Sequence, residues 1–345
     1  MTRFTNADAV RQAISEEMAR DSSVILIGED VGEPGGVFGV TKGLWDEFGD
    51  DRLWDTPISE EAIVGAAVGA AMVGARPIAE IMFGDFITLA MDMVVNQAAK
   101  LHYMTGGKLS VPMVVRMVTG TAGSTAAQHS QSLEAWFMHV PGLKVVVPST
   151  PEDTKGLLKQ AIRDPDPVIF FEHKQVYGGR GGPAGEVVAV EPIPFGQGRV
   201  HRAGSDVTVV SYLKTLHDSL AAAEQLAEEG ISVEVWDPRT LAPFDYEGLR
   251  ASIAKTGRLV IAHEAVQRGG AGAEIAAWAA AECHDLLTAP IIRIGNRNSP
   301  IPYAPVLERE VIPGVERIVE EVRRLLVQPA TEIRISSTIK ENQGV

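Results

Sequence analysis

The feature that most constrains this chain is a series of short, continuous apolar runs, each separated from the next by residues of helical character. The runs fall at residues 23–28, 76–82, 113–118, 144–147 and 168–172, and again at 206–211, 232–236, 258–263 and 290–294. Many of them do not alternate apolar with polar residues, as a strand with one wet face would. Strands buried on both faces belong in parallel sheets, and a parallel pair needs a crossover long enough to hold a helix. Helical signals stand where crossovers should be. Thr150-Pro-Glu-Asp153 supplies a capping threonine, a first-turn proline and an acid three residues on, ahead of residues 155–163. Residues 221–229 are strong helix formers that stop at Gly230. The expected fold class is α/β, with mainly parallel sheets flanked by helices.

The cluster Gly178-Gly-Arg-Gly-Gly-Pro-Ala-Gly185, followed by Pro192 and Pro194, breaks this pattern and marks a domain boundary. Two domains follow, at 1–180 and 201–330, with a linker at 181–200 and a polar tail at 331–345. A chain of 345 residues can supply both cores. Its net charge of −14 argues against a nucleic-acid partner or an anionic membrane surface, which need clustered Lys and Arg. The single cysteine, Cys283, excludes an internal disulfide framework. The N-terminus shows no basic-then-apolar secretory pattern, and no run approaches the roughly 18 apolar residues of a membrane span. A cytoplasmic protein with no membrane segment is expected.

Chemistry is concentrated in a few segments. Asp55-Thr-Pro-Ile-Ser-Glu60 leads into an Ala/Gly-rich helix, so Glu60 and Glu61 both stand in its first turn. There the helix dipole favours an acid by about 0.3–1 kcal/mol, which explains either glutamate and cannot separate them. His129 lies in a polar loop, Ala126-Ala-Gln-His-Ser-Gln-Ser132, where an imidazole can serve as a surface hydrogen-bonding group or move a proton. Asp164 and Asp166 follow the helix ending near Arg163, among carbonyls that already carry partial negative charge. A cation, either Arg163 or a bound metal ion, is needed among them. Gly269-Gly-Ala-Gly272 does not match a dinucleotide fingerprint and reads as structural turn glycine.

Taken together, several segments resemble the β subunit of thiamine-diphosphate-dependent 2-oxo acid dehydrogenases. They include Asp55–Glu60, Arg76-Pro-Ile-Ala-Glu-Ile-Met-Phe-Gly-Asp-Phe86, Asn96-Gln-Ala-Ala-Lys100, Ala127-Gln-His-Ser-Gln131 and Gly230-Ile-Ser-Val-Glu-Val-Trp-Asp-Pro-Arg-Thr-Leu241. The likeness spans roughly residues 4 to 328. It implies a pyrimidine-binding domain followed by a transketolase C-terminal-type domain. It also implies a β subunit that supplies the aminopyrimidine half of a site for decarboxylating a 2-oxo acid, or cleaving acetoin, with transfer of the acyl group to a lipoyl carrier. The partners implied are an α subunit, as two α and two β chains, and a lipoyl-bearing acyltransferase core. Mg²⁺ would be held mainly by the α subunit, because Gly-Asp-Gly and Asn-Asn segments occur nowhere in this sequence.

The resemblance also separates the candidates. Glu60 matches the glutamate that shares a proton with the aminopyrimidine ring nitrogen, leaving Glu61 as a helix-end charge. Phe86, Ile58 and Met82 match the wall of the cofactor pocket, and His129 matches a second catalytic residue in the substrate channel. A K⁺ site is implied from the main-chain carbonyls of Met113, Ala161, Ile162 and Asp166 with the side chain of Asp164. Phe38-Gly-Val-Thr-Lys-Gly-Leu44 and Phe170-Phe-Glu-His-Lys-Gln-Val-Tyr177 look like acetoin dehydrogenase β chains. Pyruvate and branched-chain 2-oxo acid enzymes share most of the remainder. The family commonly has glycine where this chain has Leu213 and an aspartate within Asn296-Arg-Asn298. A split transketolase-like subunit transferring ketol groups and a catalytically silent interaction subunit are the alternatives.

Overall fold

Every apolar run singled out above is a strand in the computed structural model, which describes residues 4–178 and 188–327. The chain begins α1 (Asn6–Arg20), β1 (Val24–Gly28), α2 (Leu44–Phe48), β2 (Leu53–Asp55), α3 (Glu60–Met72) and β3 (Arg76–Ile81). It continues α4 (Ala99–Met104), β4 (Val114–Thr119), α5 (Glu134–Met138), β5 (Lys144–Val146), α6 (Pro151–Arg163) and β6 (Val168–His173). The second half runs β7 (Arg199–Arg202), β8 (Val207–Ser211), α7 (Lys214–Ala227), β9 (Val233–Asp237), β10 (Thr240–Ala242) and α8 (Tyr246–Thr256). It ends with β11 (Leu259–Val266), α9 (Ala271–Glu282), β12 (Ile292–Asn296), α10 (Pro305–Val311) and α11 (Val315–Val327). Most of the Gly/Pro cluster and the expected polar tail lie outside the described residues.

The strands form a seven-stranded sheet, β10-β5-β6-β4-β3-β1-β2, and a five-stranded sheet, β12-β11-β8-β9-β7. Pairing is parallel except at two edges, β10 on β5 and β7 on β9. Three strands carried no long apolar run and were not expected: β2, β7 and β10. All three are edges, two have only three residues, and an edge needs no double-sided apolar cover. β10 belongs to the second half of the sequence yet completes the first sheet, with Thr240 opposite Val146.

Neighbouring residues within a central strand feed opposite cores. Val24, Leu26, Ile78 and Phe170 pack with Val10 and Ile14 of α1 and Leu157 and Leu158 of α6. Ile25, Ile27, Ile81 and Phe171 pack instead with Ile63, Val64 and Ala67 of α3. Each such side chain contributes about 1.5–3 kcal/mol on burial, so both faces favour apolar residues. Glu80, Arg116 and Glu172 are exceptions on β3, β4 and β6. Arg116 donates to both carboxylates and to the Tyr177 hydroxyl oxygen (3.3 Å), so the buried charges are mutually partnered.

Polar contacts tie the two sheets together. His173 pairs with Glu264 at 2.8 Å, and the Tyr212 hydroxyl donates to Glu134 at 2.7 Å. Asp153, His201 and Asp237 bring their polar atoms within 4.8 Å of one another. Arg239 donates to Asp153 at 2.5 Å, with Arg199 at 3.5 Å, so guanidinium groups counter Asp153, while His201 Nε2 and Asp237 Oδ2 are buried without a hydrogen-bond partner; the cluster joins α6, β7 and β9. Leu213, before α7, has φ 53° and ψ −136°, a conformation in which glycine is at ease. Its N–H donates to Ser149 Oγ (2.8 Å) and its side chain is buried in the first core. Among the described residues no helix is long and apolar enough to cross a membrane.

Candidate active site

The C-terminal ends of β1, β3, β4 and β6 share one rim of the first sheet. From β1 the chain passes to β2 on one side and then to β3 and β4 on the other, and such a reversal opens a crevice at the strand ends. Glu29 follows β1, Glu60 follows β2, Met82 to Phe86 follow β3, the loop at 120–131 follows β4, and Lys174 follows β6.

Glu60 is the first residue of α3 and only 6% exposed. Ser59 precedes it as N-cap, but its hydroxyl makes no capping bond. Among the described residues, no hydrogen bond or ion pair engages the Glu60 carboxylate. Its charge is felt by Glu29, whose carboxyl is raised first by burial and then by Glu60 and Asp30. A carboxylate on a buried residue, with no partner among the described residues, suits a ring nitrogen supplied by a ligand. Glu61, one residue on, is exposed, as a helix-end charge should be.

The aromatic side of the rim is assembled by β3 and β4. α3 packs against the tight turn Gly84–Ala90 that carries Phe86. The His129 ring stands edge-on to Phe83 (4.9 Å between centroids) and to Phe86 (5.3 Å). Thus two expected site residues, Phe86 and His129, are in contact, although they are far apart in sequence. Met82 is half-buried beside this cluster, whereas Ile58 is 82% exposed on the loop before α3.

Residues not singled out from the sequence fasten the His129 loop. Asp85 accepts from the Gln131 backbone N–H (3.1 Å) and side-chain amide (2.9 Å), leaving its other oxygen unpartnered and buried. Lys174 donates to the carbonyls of Gly120 and His129. Glu264 and Glu308, from the second domain, accept from the N–H groups of Thr121 and Ser124, each at 2.6 Å. Burial alone would raise the Glu264 carboxyl, but His173 and Thr121 hold it below its usual range. The sequence signal for Asp85 and Lys174 was only their place inside segments that matched the family.

The five residues expected around K⁺ are held by the protein's own groups. Lys144 contacts the carboxylates of Asp164 (2.5 Å) and Asp166 (3.0 Å), and Arg76 donates to the carbonyls of Ile162 (2.9 Å) and Asp164 (3.1 Å). The Met113 carbonyl accepts from Val168 N–H (2.9 Å), and that of Ala161 from Asp164 N–H (3.3 Å). Of the oxygens expected around K⁺, a cation would have to share that of Ile162 with Arg76, the Asp164 carboxylate with Lys144, and those of Met113 and Ala161 with backbone N–H groups. Gly270 and Gly272 closely approach His263, which leaves no room there for a β-carbon. A separate cleft of about 680 Å³, lined by Met138, His139, Pro243, Phe244, Tyr246 and Glu274 among others, contains none of the expected site residues.

Comparison with known proteins identifies the family. Residues 3–180 match the transketolase pyrimidine-binding domain and residues 196–318 the transketolase C-terminal domain. The chain is 48% identical over 329 residues to the acetoin:2,6-dichlorophenolindophenol oxidoreductase subunit beta of Cupriavidus necator, covering 92% of this chain and 96% of the relative. It is 44% identical to the 2-oxoisovalerate dehydrogenase subunit beta of Bacillus subtilis, covering 94% and 99% of the two chains. It is also 44% identical to the mitochondrial pyruvate dehydrogenase E1 component subunit beta of Caenorhabditis elegans, covering 94% and 92%. A solved structure, "Split gene transketolase, inactive beta4 tetramer", shares the fold with a TM-score of 0.77 at 23% identity, covering 94% of this chain and 99% of that one. This chain belongs to the transketolase-like β subunits of thiamine-diphosphate-dependent 2-oxo acid and acetoin dehydrogenases.

Proposed function

We propose that this chain supplies the aminopyrimidine half of an active site that decarboxylates a 2-oxo acid, or cleaves acetoin, and passes the acyl group to a lipoyl carrier. The observation that carries the reading is Glu60, a buried residue whose carboxylate has no partner among the described residues, at the crevice where Phe86 and His129 meet. Thiamine diphosphate, when bound, supplies the electron sink that such a carbon–carbon cleavage requires. With the cofactor bound, Glu60 would hold a proton at the aminopyrimidine ring nitrogen, and Phe86, Met82 and Ile58 would line its side of the pocket. His129 moves a proton to or from the substrate or contacts its carboxylate.

The proposal includes an α subunit, in a complex of two α and two β chains. Support comes from the missing Gly-Asp-Gly and Asn-Asn segments, which leave Mg²⁺ and the diphosphate without a holder in this sequence. Ile58 and Leu89, large, apolar and exposed on loops of the rim, are suited to being covered by such a partner. A lipoyl-bearing acyltransferase core and a cytosolic location complete the reading.

Co-expression with an α-type chain allows a direct test against acetoin, pyruvate and 2-oxoisovalerate in turn. Glu60→Ala should lower turnover by about a thousandfold or more, equivalent to roughly 4 kcal/mol of barrier. Glu61→Ala should stay within about threefold, since the helix-dipole contribution it removes is small. A Glu60→Ala enzyme within tenfold of wild type would end the assignment. Calorimetry of the isolated chain with Mg²⁺ and thiamine diphosphate should show no tight binding; tight binding would refute the half-site reading. K⁺ at the end of α6 belongs to the same proposal. It predicts a higher melting temperature in KCl than in NaCl at equal ionic strength, and equal values would remove it.

A further inference from the structure

We propose that Lys174 is a positioning residue for His129, its ammonium clamping together the two limbs of the loop at 120–131 and holding the imidazole against Phe83 and Phe86. The inference rests on the role given to His129 above. Lys174 is the first residue after β6 and is 8% exposed. Its Nζ donates to the carbonyl of Gly120 on the outgoing limb (2.6 Å) and to that of His129 on the returning limb (2.7 Å). The same nitrogen lies 5.3 Å from the centroid of the Phe83 ring, which contacts the His129 ring. One cation therefore grips the backbone of the functional residue, the start of its loop and the ring beside it. An ammonium has three donors and no acceptor, which matches two carbonyls and the negative face of an aromatic ring.

The surroundings explain why this clamp is sensitive. The charged and titratable groups facing Lys174 are Asp85 from the turn after β3, Glu264 from β11, the adjoining His173, and His129 itself. Asp85 accepts from Gln131 through one oxygen only, and Glu264 is engaged with Thr121 and His173; among the described residues neither carboxylate forms an ion pair with the ammonium. Burial accordingly lowers the Lys174 pKa to about 8, with Asp85 and Glu264 offsetting part of the effect. The clamp is charged at pH 7 and loses its proton as the pH rises through about 8. The neutral amine keeps two hydrogens but loses the charge that strengthens both bonds and the attraction to the ring. Alkaline pH should therefore loosen the loop before it unfolds the protein.

The test uses the assembled enzyme with wild type, Lys174→Met and Lys174→Arg. Lys174→Met should lower kcat by about 10- to 100-fold, the scale of a misplaced catalytic group, with KM for the small substrate within about threefold. Wild type should show an alkaline limb in kcat near pH 8. That limb should be absent in Lys174→Met and displaced upward in Lys174→Arg, which should recover most of the rate because its guanidinium stays charged. Independently of activity, amide exchange at residues 121–131 should speed up about tenfold in folded Lys174→Met at pH 7, with β1 and β3 unchanged. If the Met variant does not fold, Lys174→Gln replaces it in both arms. Unchanged exchange in the loop, or an unchanged alkaline limb without Lys174, would overturn the proposal. Wild type inactive on every 2-oxo acid and on acetoin would defeat the reading of the site, while the exchange arm would still decide the role of Lys174.

Discussion

His263, on β11, lies so close to the backbone that a β-carbon at Gly270 or Gly272 would come within 2.7 Å of its ring. Its Nδ1 is set to donate to the Ala265 carbonyl (3.2 Å), and its Nε2 is buried without a partner. Burial, with Arg293 adding to it, lowers its pKa to about 4 from an ordinary value near 6.5. The folded protein thus holds fewer protons than the unfolded chain between about pH 4 and 6.5. Stability from this group is present above that window and is lost as the pH falls through it. The melting temperature should drop between pH 7 and pH 5, and His263→Gln should flatten that slope. An equally steep slope in the variant would exclude His263 as the cause. At this scale the sequence was informative only where many segments agreed. Glu60 and Glu61 were equivalent by helix propensity and were separated by family resemblance. In the structure they differ, since Glu60 is buried, with no partner among the described residues, and Glu61 is exposed. Leu213 shows the converse: only the glycine common in the family at this position hinted that the backbone there would take a positive φ. That conformation costs of order 1–3 kcal/mol, a sum the burial of a leucine can offset.

Among the elements, the loop from Gly120 to Gln131 depends most on distant parts of the chain. Gly120 has φ 75°, and a β-carbon there would fall 2.0 Å from His173 Nε2. Gly120→Ala should push His173 off Glu264 and shift the carbonyl that Lys174 holds. A loss of about 1–3 kcal/mol in thermal or urea unfolding is expected from the backbone strain alone. Turnover should fall further than stability does, because the loop carries His129; a stable variant of full activity would contradict this account. Central strands were legible because burial on both faces demands a continuous apolar run. The edges β2, β7 and β10 were not, since one unpaired side relaxes that demand. Nor were the fastenings of the loop legible, because Asp85 and Lys174 meet it from the ends of β3 and β6, and Glu264 from β11 of the other sheet.

Across the whole molecule, the two sheets are joined by buried polar pairs as well as by Tyr212, Leu213, Leu241 and Ala271, which pack into the first core. His173 with Glu264, Tyr212 with Glu134, and Arg239 with Asp153 each span the junction. The His129 loop hangs from this junction through Glu264 and Glu308, so the second domain helps to shape a site built on the first. A fragment ending at residue 178 lacks β10 and these carboxylates. It should associate or unfold more readily than the full chain, as light scattering and urea titration would reveal. A monomeric fragment of undiminished stability would show the second domain to be dispensable for the first.

β10 has a further consequence, for how the protein is made. On the ribosome, β5 emerges roughly 90 residues before the strand that will cover it. At ordinary elongation rates that interval is about 5–20 s, during which one border of the nascent sheet keeps its amide and carbonyl groups open to any passing strand. Newly synthesised chains are therefore most at risk of sticking to one another in that interval, and a holding chaperone would be of most use then.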